Sequence, residues 1–306
     1  MGWAWQFHGN PINNNDLLEI LMKKLLFQLD TDQHPSVFDT VVGYDGGADH
    51  VIGHGNCTPT NIAALVEGAI FTRAPKDKKN TALFLGGSDM TAGEKLLEAV
   101  QQSYFSNFRV SVMLDSNGSN TTAAAAVAKM LLSTSLKGKK AVILAGTGPV
   151  GQRAAVMMVR EGASVCISSR KQSRAAEACA HIKTHFDVDV SAAGGATDEE
   201  RAELCADAHI ILATGAAGIQ LLTEEHWKNI STLEVIADAN ATPPLGIAGT
   251  DMMDEGTIRH GKIVWGAIGF GKFKLTLHRA CIARLFESND QVFDADEIFA
   301  LAKEMA

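Results

Sequence analysis

One segment limits the folds open to this chain more than any other. The apolar run Ala141-Val-Ile-Leu-Ala145 passes directly into Gly146-Thr147-Gly148-Pro149-Val150-Gly151, and Gln152 to Arg160 then reads as a helix that stops at Gly162. A G-x-G-x-x-G string by itself is a weak signal. Following a strand and opening a helix, it predicts the first βαβ unit of a dinucleotide-binding sheet. Gly146 permits the tight turn, Gly148 lets the backbone approach a pyrophosphate, and Gly151 lets the helix lie close to the strand. The free amides and dipole of the helix N-terminus favour the anion. All six residues from Gly146 to Gly151 are therefore expected at the cofactor.

The next strand sets which dinucleotide. It ends Ser168-Ser169-Arg170-Lys171, with Arg174 one turn on, and carries no carboxylate at its tip. An Asp or Glu there would accept from a ribose 2′-hydroxyl. A hydroxyl and three cations suit a 2′-phosphate instead, since Arg binds phosphate bidentately. NADP is expected, with NAD as the alternative. Two further strand tips belong to the same crevice, because ligands of doubly wound sheets lie at the carboxyl ends of strands. Thr214 and Gly215 are placed by ribose and phosphates, and Ala239 and Asn240 by the nicotinamide.

Strands and helices alternate along the rest of the chain. Leu25–Leu29, Ala82–Leu85 and Val110–Leu114 read as strands, and Pro35 to Val42, Thr91–Gln102 and Asn120–Leu132 as helices. After the polar hinge Lys137-Gly-Lys-Lys140, strands are expected at 141–144, 164–167, 210–213, 235–237 and 263–268, and helices at 275–286 and 294–305. This pattern predicts parallel sheets with helices on their faces. The length, 306 residues, suits two domains at about 150 residues each. The expected fold is α/β with two domains and a cleft between them. Residues 126–270 form a doubly wound, Rossmann-like NADP domain, and residues 22–125 plus 271–306 an α/β substrate domain. Residues 1–21 hold two of the four Trp and a triple Asn without strand or helix period, and read as a leader outside the fold.

Composition excludes several functions. A net charge of −8 argues against nucleic acid as a partner, which would need a positive footprint. Five cysteines without a C-x-x-C spacing support neither a metal site nor a disulfide framework and fit a reducing cytoplasm. No apolar run approaches the roughly 18 residues of a membrane span, so no membrane partner is expected.

The first half carries unusual polar loops: Gly43-Tyr-Asp-Gly-Gly-Ala-Asp49, Leu85-Gly-Gly-Ser-Asp89 and Asp115-Ser-Asn-Gly-Ser-Asn-Thr-Thr122. With KKLLFQLDTD (23–32), PSVFD (35–39), VVGYDGGADH (41–50), LDSNGSNTTAAA (114–125), AGTGPVG (145–151), PPLGI (243–247) and KLTLHRACIARLFES (274–288), residues 23–306 resemble the bacterial methylene-tetrahydromethanopterin dehydrogenases. These resemble in architecture the methylene-tetrahydrofolate dehydrogenase/cyclohydrolases. This chain lacks the Tyr-x-x-x-Lys motif of the latter, so cyclohydrolase activity is not implied. The resemblance implies hydride removal from the methylene bridge, a pterin substrate, and a homo-oligomer. Methylene-tetrahydrofolate as main substrate, or a non-catalytic NADP-binding regulator, are the alternatives. Hydride loss leaves a cation shared by two nitrogens and frees no hydroxyl proton, so positioning and electrostatics replace a general base. On this reading Asp39 and Lys274 are the candidate catalytic residues. Tyr44, Asp45, Asp115, Asn117 and Asn120 are the candidate substrate contacts, Tyr44 by stacking. His278 is expected to pack or to cap a helix rather than to catalyse.

Overall fold

The computed structural model describes residues 22–306, and the leader expected at 1–21 lies outside the described residues. The first sheet has five strands, all parallel: β1 (Leu25–Asp30), β2 (His50–His54), β3 (Thr81–Gly86), β4 (Ser111–Leu114) and β12 (Val292–Phe293), in the spatial order β12-β4-β3-β1-β2. The second has seven: β5 (Lys140–Leu144), β6 (Ser164–Ser169), β7 (Ser191–Gly194), β8 (Ile210–Ala213), β9 (Val235–Asp238), β10 (Glu255–Arg259) and β11 (Lys262–Trp265). Their order is β10-β11-β9-β8-β5-β6-β7, with only β10 antiparallel to its neighbour. Apart from that edge strand, this is the doubly wound dinucleotide-binding order. The central strands are short runs buried on both faces, such as Ala141–Leu144 and Ile210–Ala213.

Ten α-helices are present among the described residues: α1 (Val37–Asp45), α2 (Ala63–Phe71), α3 (Met90–Gln102), α4 (Ser119–Ser133), α5 (Pro149–Arg160), α6 (Gln172–Phe186), α7 (Asp198–Cys205), α8 (Glu224–Trp227), α9 (Ala267–Leu285) and α10 (Ala295–Met305). Side-chain caps start several of them. Ser36 accepts from Asp39 N at 3.3 Å, Asp89 from Ala92 N at 3.1 Å, and Thr197 and Asp294 form capping boxes with Glu200 and Glu297. Among the described residues, no helix is long and apolar enough to cross a membrane.

Helix α4 joins the two sheets. Its alanines 123–126 are fully buried, and their small side chains let it pack closely against α5, α9 and α10 in one continuous core. The expected domain boundaries at 125/126 and 270/271 fall inside α4 and α9. The C-terminal segment returns to the first sheet, where β12 pairs with β4.

The structure corrects the strand expected at 263–268. It stops at Trp265, and α9 starts at Ala267, so Gly269-Phe-Gly-Lys-Phe-Lys274 is helical. Two glycines make this a poor helix start by propensity. Contact explains the first of them: a Cβ on Gly269 would stand 1.8 Å from the Asp254 carbonyl oxygen. The close approach of α9 to that loop needs glycine there.

Candidate active site

Two crevices form where chain direction switches in the two sheets, which is where open α/β sheets hold ligands. In the second sheet the switch lies between β5 and β8. The Gly146 amide donates to Ser168 O at 3.0 Å, tying the glycine turn to the tip of β6. A Cβ on Gly151 would lie 2.6 Å from the Gly146 backbone, so the third glycine is required by contact. Gly148 caps α5, Pro149 fills its first turn, and a Cβ on Gly148 would meet nothing within 4 Å. The loop is thus an open cradle at a helix N-terminus. A cavity of about 360 Å³ lies over it, lined by Thr147, Gly148, Gln152 and Arg174. Arg174 is shared with a second cavity of about 450 Å³ lined by Ser169, Arg170 and Lys171. Among the described residues the side chains of Arg170, Lys171 and Arg174 form no ion pair. An open amide cradle beside three uncommitted cations fits a phosphorylated dinucleotide.

The other strand tips contribute differently. The Thr214 amide donates to Leu144 O at 3.0 Å, holding the tip of β8 against that of β5. Gly215 follows, half-buried against Leu221. Ala239 is half-buried, whereas Asn240 is buried and its side chain is committed within its own loop. It donates to Pro244 O at 3.2 Å and accepts from Thr242 N at 2.8 Å. The Asp238 carboxylate takes the Asn240 and Ile247 amides, each at 2.9 Å. Asn240 therefore shapes the loop rather than presenting its amide to a nicotinamide.

In the first sheet the switch lies between β1 and β3. A cavity of about 390 Å³ opens there, walled by the tips of both strands, the start of α1, the 116–118 turn and α9. Asp30 organises its floor, accepting from Asp32 N at 2.9 Å and Ser36 N at 3.1 Å. Asp32 accepts from the amide and hydroxyl of Ser88 at 3.0 and 2.9 Å, lacing the two strand tips together. Asp39 faces the space from the first turn of α1. Burial pushes its carboxyl up to about 6, against the opposing pull of the Ser36 hydroxyl and Lys274. Lys274 reaches in from α9, its Nζ 4.5 Å from the centre of the Phe38 ring. Asn117 lines the wall with φ +54°, its amide donating to Gly87 O at 2.7 Å. Three aspartates against one lysine make the cavity acidic.

Asp115 lies behind this wall, fully buried. It accepts from the Thr121 amide at 3.0 Å and hydroxyl at 2.6 Å. Burial lifts it to about 6, opposed by Lys274 and Thr121. One turn beyond Lys274, His278 is fully buried, its ring stacked on Phe84 at 5.4 Å between centres. Burial, with help from Lys274, pushes its pKa down to about 3 and keeps it neutral. This is packing, one of the two roles expected of it.

Asp39, Asn117 and Lys274 thus meet in one cavity, with Asp115 close behind. Tyr44, Asp45 and Asn120 do not line it. Tyr44 and Asp45 occupy the last turn of α1, Asp45 about 9 Å along the helix from Asp39 at 1.5 Å per residue. Both are exposed, and Asp45 accepts from Arg279 at 2.6 Å. Asn120 is buried and spends its amide on Leu114 O at 2.7 Å and Asp294 at 2.9 Å. Sequence reasoning missed Asp30, Asp32, His34, Ser36, Ser88 and Thr122, all of which line the cavity. The rule that located Thr214, ligands at the carboxyl ends of strands, would have found Asp30, Asp32 and Ser88.

Comparison with known proteins places the chain in a family. Residues 37–117 match the family model for the N-terminal part of methylene-tetrahydromethanopterin dehydrogenase. The chain is 56% identical over 288 residues to the bifunctional protein MdtA of Methylorubrum extorquens, covering 94% of this chain and all of that one. It is 32% identical over 296 residues to the NAD(P)-dependent methylenetetrahydromethanopterin dehydrogenase of the same organism, again 94% of this chain and all of that one. Among solved structures, shikimate 5-dehydrogenase from Listeria monocytogenes has a TM-score of 0.52 at 12% identity, over 96% of this chain and 98% of that one. The 5-ketofructose reductase of a Gluconobacter strain has a TM-score of 0.51 at 14% identity, over 94% of this chain and all of that one. These two share the fold. The similarity across nearly the whole length shows that the chain belongs to the methylenetetrahydromethanopterin dehydrogenase family.

Proposed function

We propose that this protein oxidises the methylene bridge of methylenetetrahydromethanopterin to the methenyl form, with NADP⁺ preferred over NAD⁺ as acceptor. The observation that carries the reading is the acidic cavity at the switch point of the first sheet. It is a second ligand site, apart from the glycine loop, and it holds Asp39 and Lys274 together. A protein that only senses a dinucleotide has no use for it. On this reading residues 22–125 with 271–306 form the substrate unit and 126–270 the dinucleotide unit, with α4 and α9 running through both. The protein works in the cytoplasm as a homo-oligomer, for which the exposed Val37, Val41 and Tyr44 on α1 offer an apolar contact surface.

A bound nicotinamide supplies the hydride acceptor. The residues of this chain supply position and charge. The amides of Thr147 and Gly148 and those of the first turn of α5 would hold the pyrophosphate, and Ser169, Arg170, Lys171 and Arg174 would hold the extra phosphate. Thr214 and Gly215 border the same crevice. Asp39 faces the positive charge that develops as the bridge carbon loses hydride. A carboxylate set in the protein before the reaction stabilises that charge more than it stabilises the neutral reactant, which lowers the barrier. Lys274 donates to acceptor atoms of the head group and keeps Asp39 ionised. Asp30 and Asp32 hold the strand tips so that the cavity keeps its shape.

The pH dependence follows from Asp39. Its carboxyl titrates at about 6 and acts when ionised, so kcat/KM rises with pH and is lost as pH falls through about 6. Asp39→Asn should flatten this limb and lower the plateau. A full limb retained in that variant would assign it to the buried Asp115 instead.

The function itself is tested by steady-state kinetics with methylene-tetrahydromethanopterin and methylene-tetrahydrofolate, each crossed against NADP⁺ and NAD⁺. The expected result is highest kcat/KM for the methanopterin with NADP⁺. Higher kcat/KM with the folate would make that its main substrate. NADPH binding without turnover of either would make the protein a regulator.

A further inference from the structure

We infer that Glu94, His181 and His185 form a binding site for a divalent transition-metal ion that fastens the first sheet's helix α3 to the second sheet's helix α6. His181 and His185 are one helical turn apart on α6, so they share a face, and their ring centres are 4.0 Å apart. Glu94 comes from α3. One ligand atom from each residue lies within 4.8 Å of the other two.

The hydrogen bonds around these rings prepare them as ligands. His181 Nδ1 lies 3.0 Å from Gln152 Oε1, and His185 Nδ1 lies 3.0 Å from the His181 carbonyl oxygen. The Gln152 amide cannot be turned over without loss, because its Nε2 donates to Thr147 O at 2.8 Å. Both partners are therefore acceptors, and each ring carries its proton on Nδ1. This leaves the Nε2 lone pairs free, the tautomer that second-shell acceptors impose on metal-bound histidines. The Glu94 carboxylate is divided in the same way. Oε1 accepts from Arg153 at 2.6 Å, while Oε2 stands 3.7 Å from His181 Nε2, beyond hydrogen-bond distance.

Two imidazoles and one carboxylate suit zinc or its neighbours in the first transition row rather than calcium or magnesium, which take oxygen ligands. Metal–ligand distances of about 2.0–2.1 Å put tetrahedral ligand atoms about 3.4 Å apart, so the set closes by an ångström or so around the ion. Glu94 and His181 are half-buried and His185 is exposed, which leaves an entry path and a fourth position for water. Gln152 connects the site to the phosphate loop, since it touches both His181 and Thr147. The pair His181-x-x-x-His185 is visible in the sequence, but its third ligand is supplied by the other sheet.

The test uses the full chain, stripped with chelator and titrated with Zn²⁺ alone by calorimetry, and with Co²⁺ followed by its visible absorption. One ion per chain, a tetrahedral cobalt spectrum and a melting temperature raised by zinc are expected. His185→Gln should weaken zinc binding by about ten-fold or more and abolish the rise in melting temperature. His185 is exposed, so the variant without metal should melt and bind NADPH as the parent does. His185→Asn replaces it should the first variant fail to fold. Equal zinc affinity in parent and variant, or a parent whose melting temperature ignores zinc, would overturn the assignment.

Discussion

Lys274→Met is expected to lower kcat/KM for the pterin substrate by about 10²–10³-fold, the usual cost of removing one preorganised electrostatic group from an active site. Methionine keeps length and packing against Phe38 but removes the charge. The dinucleotide crevice is untouched, so NADPH affinity should stay within about two-fold. A second readout separates an electrostatic role from a structural one. Lys274 pulls the carboxyls of both Asp39 and Asp115 down against the effect of burial. Without it both must titrate higher, so the acid limb of kcat/KM moves to higher pH. Lys274→Arg keeps the charge and should restore the position of that limb, though not the full rate, because a planar guanidinium does not replace an ammonium in a shaped cavity. The measurement is a pH series of initial rates for the parent and both variants. A methionine variant with a near-normal rate and an unmoved limb would remove Lys274 from the chemistry.

Arg170→Ala with Lys171→Ala is expected to raise the KM for NADP⁺ by about 10–100-fold and to leave the KM for NAD⁺ within about two-fold. Each charge-assisted hydrogen bond to a phosphate contributes roughly 1.5–3 kcal/mol. Both residues are exposed, so solvent screening places the sum toward the lower end. The two cofactors differ only at the ribose 2′ position, so a selective loss locates the cations there. The effect should also shrink as salt rises, because exposed charges are screened over about 10 Å at 0.1 M. Equal increases for both cofactors would move the 2′-phosphate elsewhere.

The two crevices were unequally legible. The dinucleotide crevice is built from one continuous strand–loop–helix and the tip of the next strand, so spacing and residue type suffice to place Gly146 to Gly151 and Ser169 to Arg174. The substrate cavity is built from four separate segments, 30–39, 87–88, 117–122 and Lys274, and local patterns place its parts poorly. Asp39 and Asp45 stand in the same acidic, glycine-rich stretch, yet α1 turns one into the cavity and carries the other out to Arg279. Asn120 resembles Asn117 in composition and neighbours. The first turn of α4 buries it on Asp294, a residue 174 positions away in sequence. The start of α9 does not read as a helix, because its two glycines argue against one, and only the neighbouring Asp254 carbonyl explains why Gly269 stands there.

The sequence by itself determined the alternation of strands and helices, the glycine cradle and the basic strand tip. Each depends on residues close together in the chain, whose spacing is fixed by backbone geometry. The tertiary structure decided which carboxylates share a cavity with Lys274, which amides are consumed by the fold, and which helix faces meet across the two sheets. Those outcomes depend on burial and on contacts between residues far apart in the chain. Burial lifts the Asp39 carboxyl to about 6 against the pull of Ser36 and Lys274, and long-range hydrogen bonds set which polar groups remain free to meet a ligand.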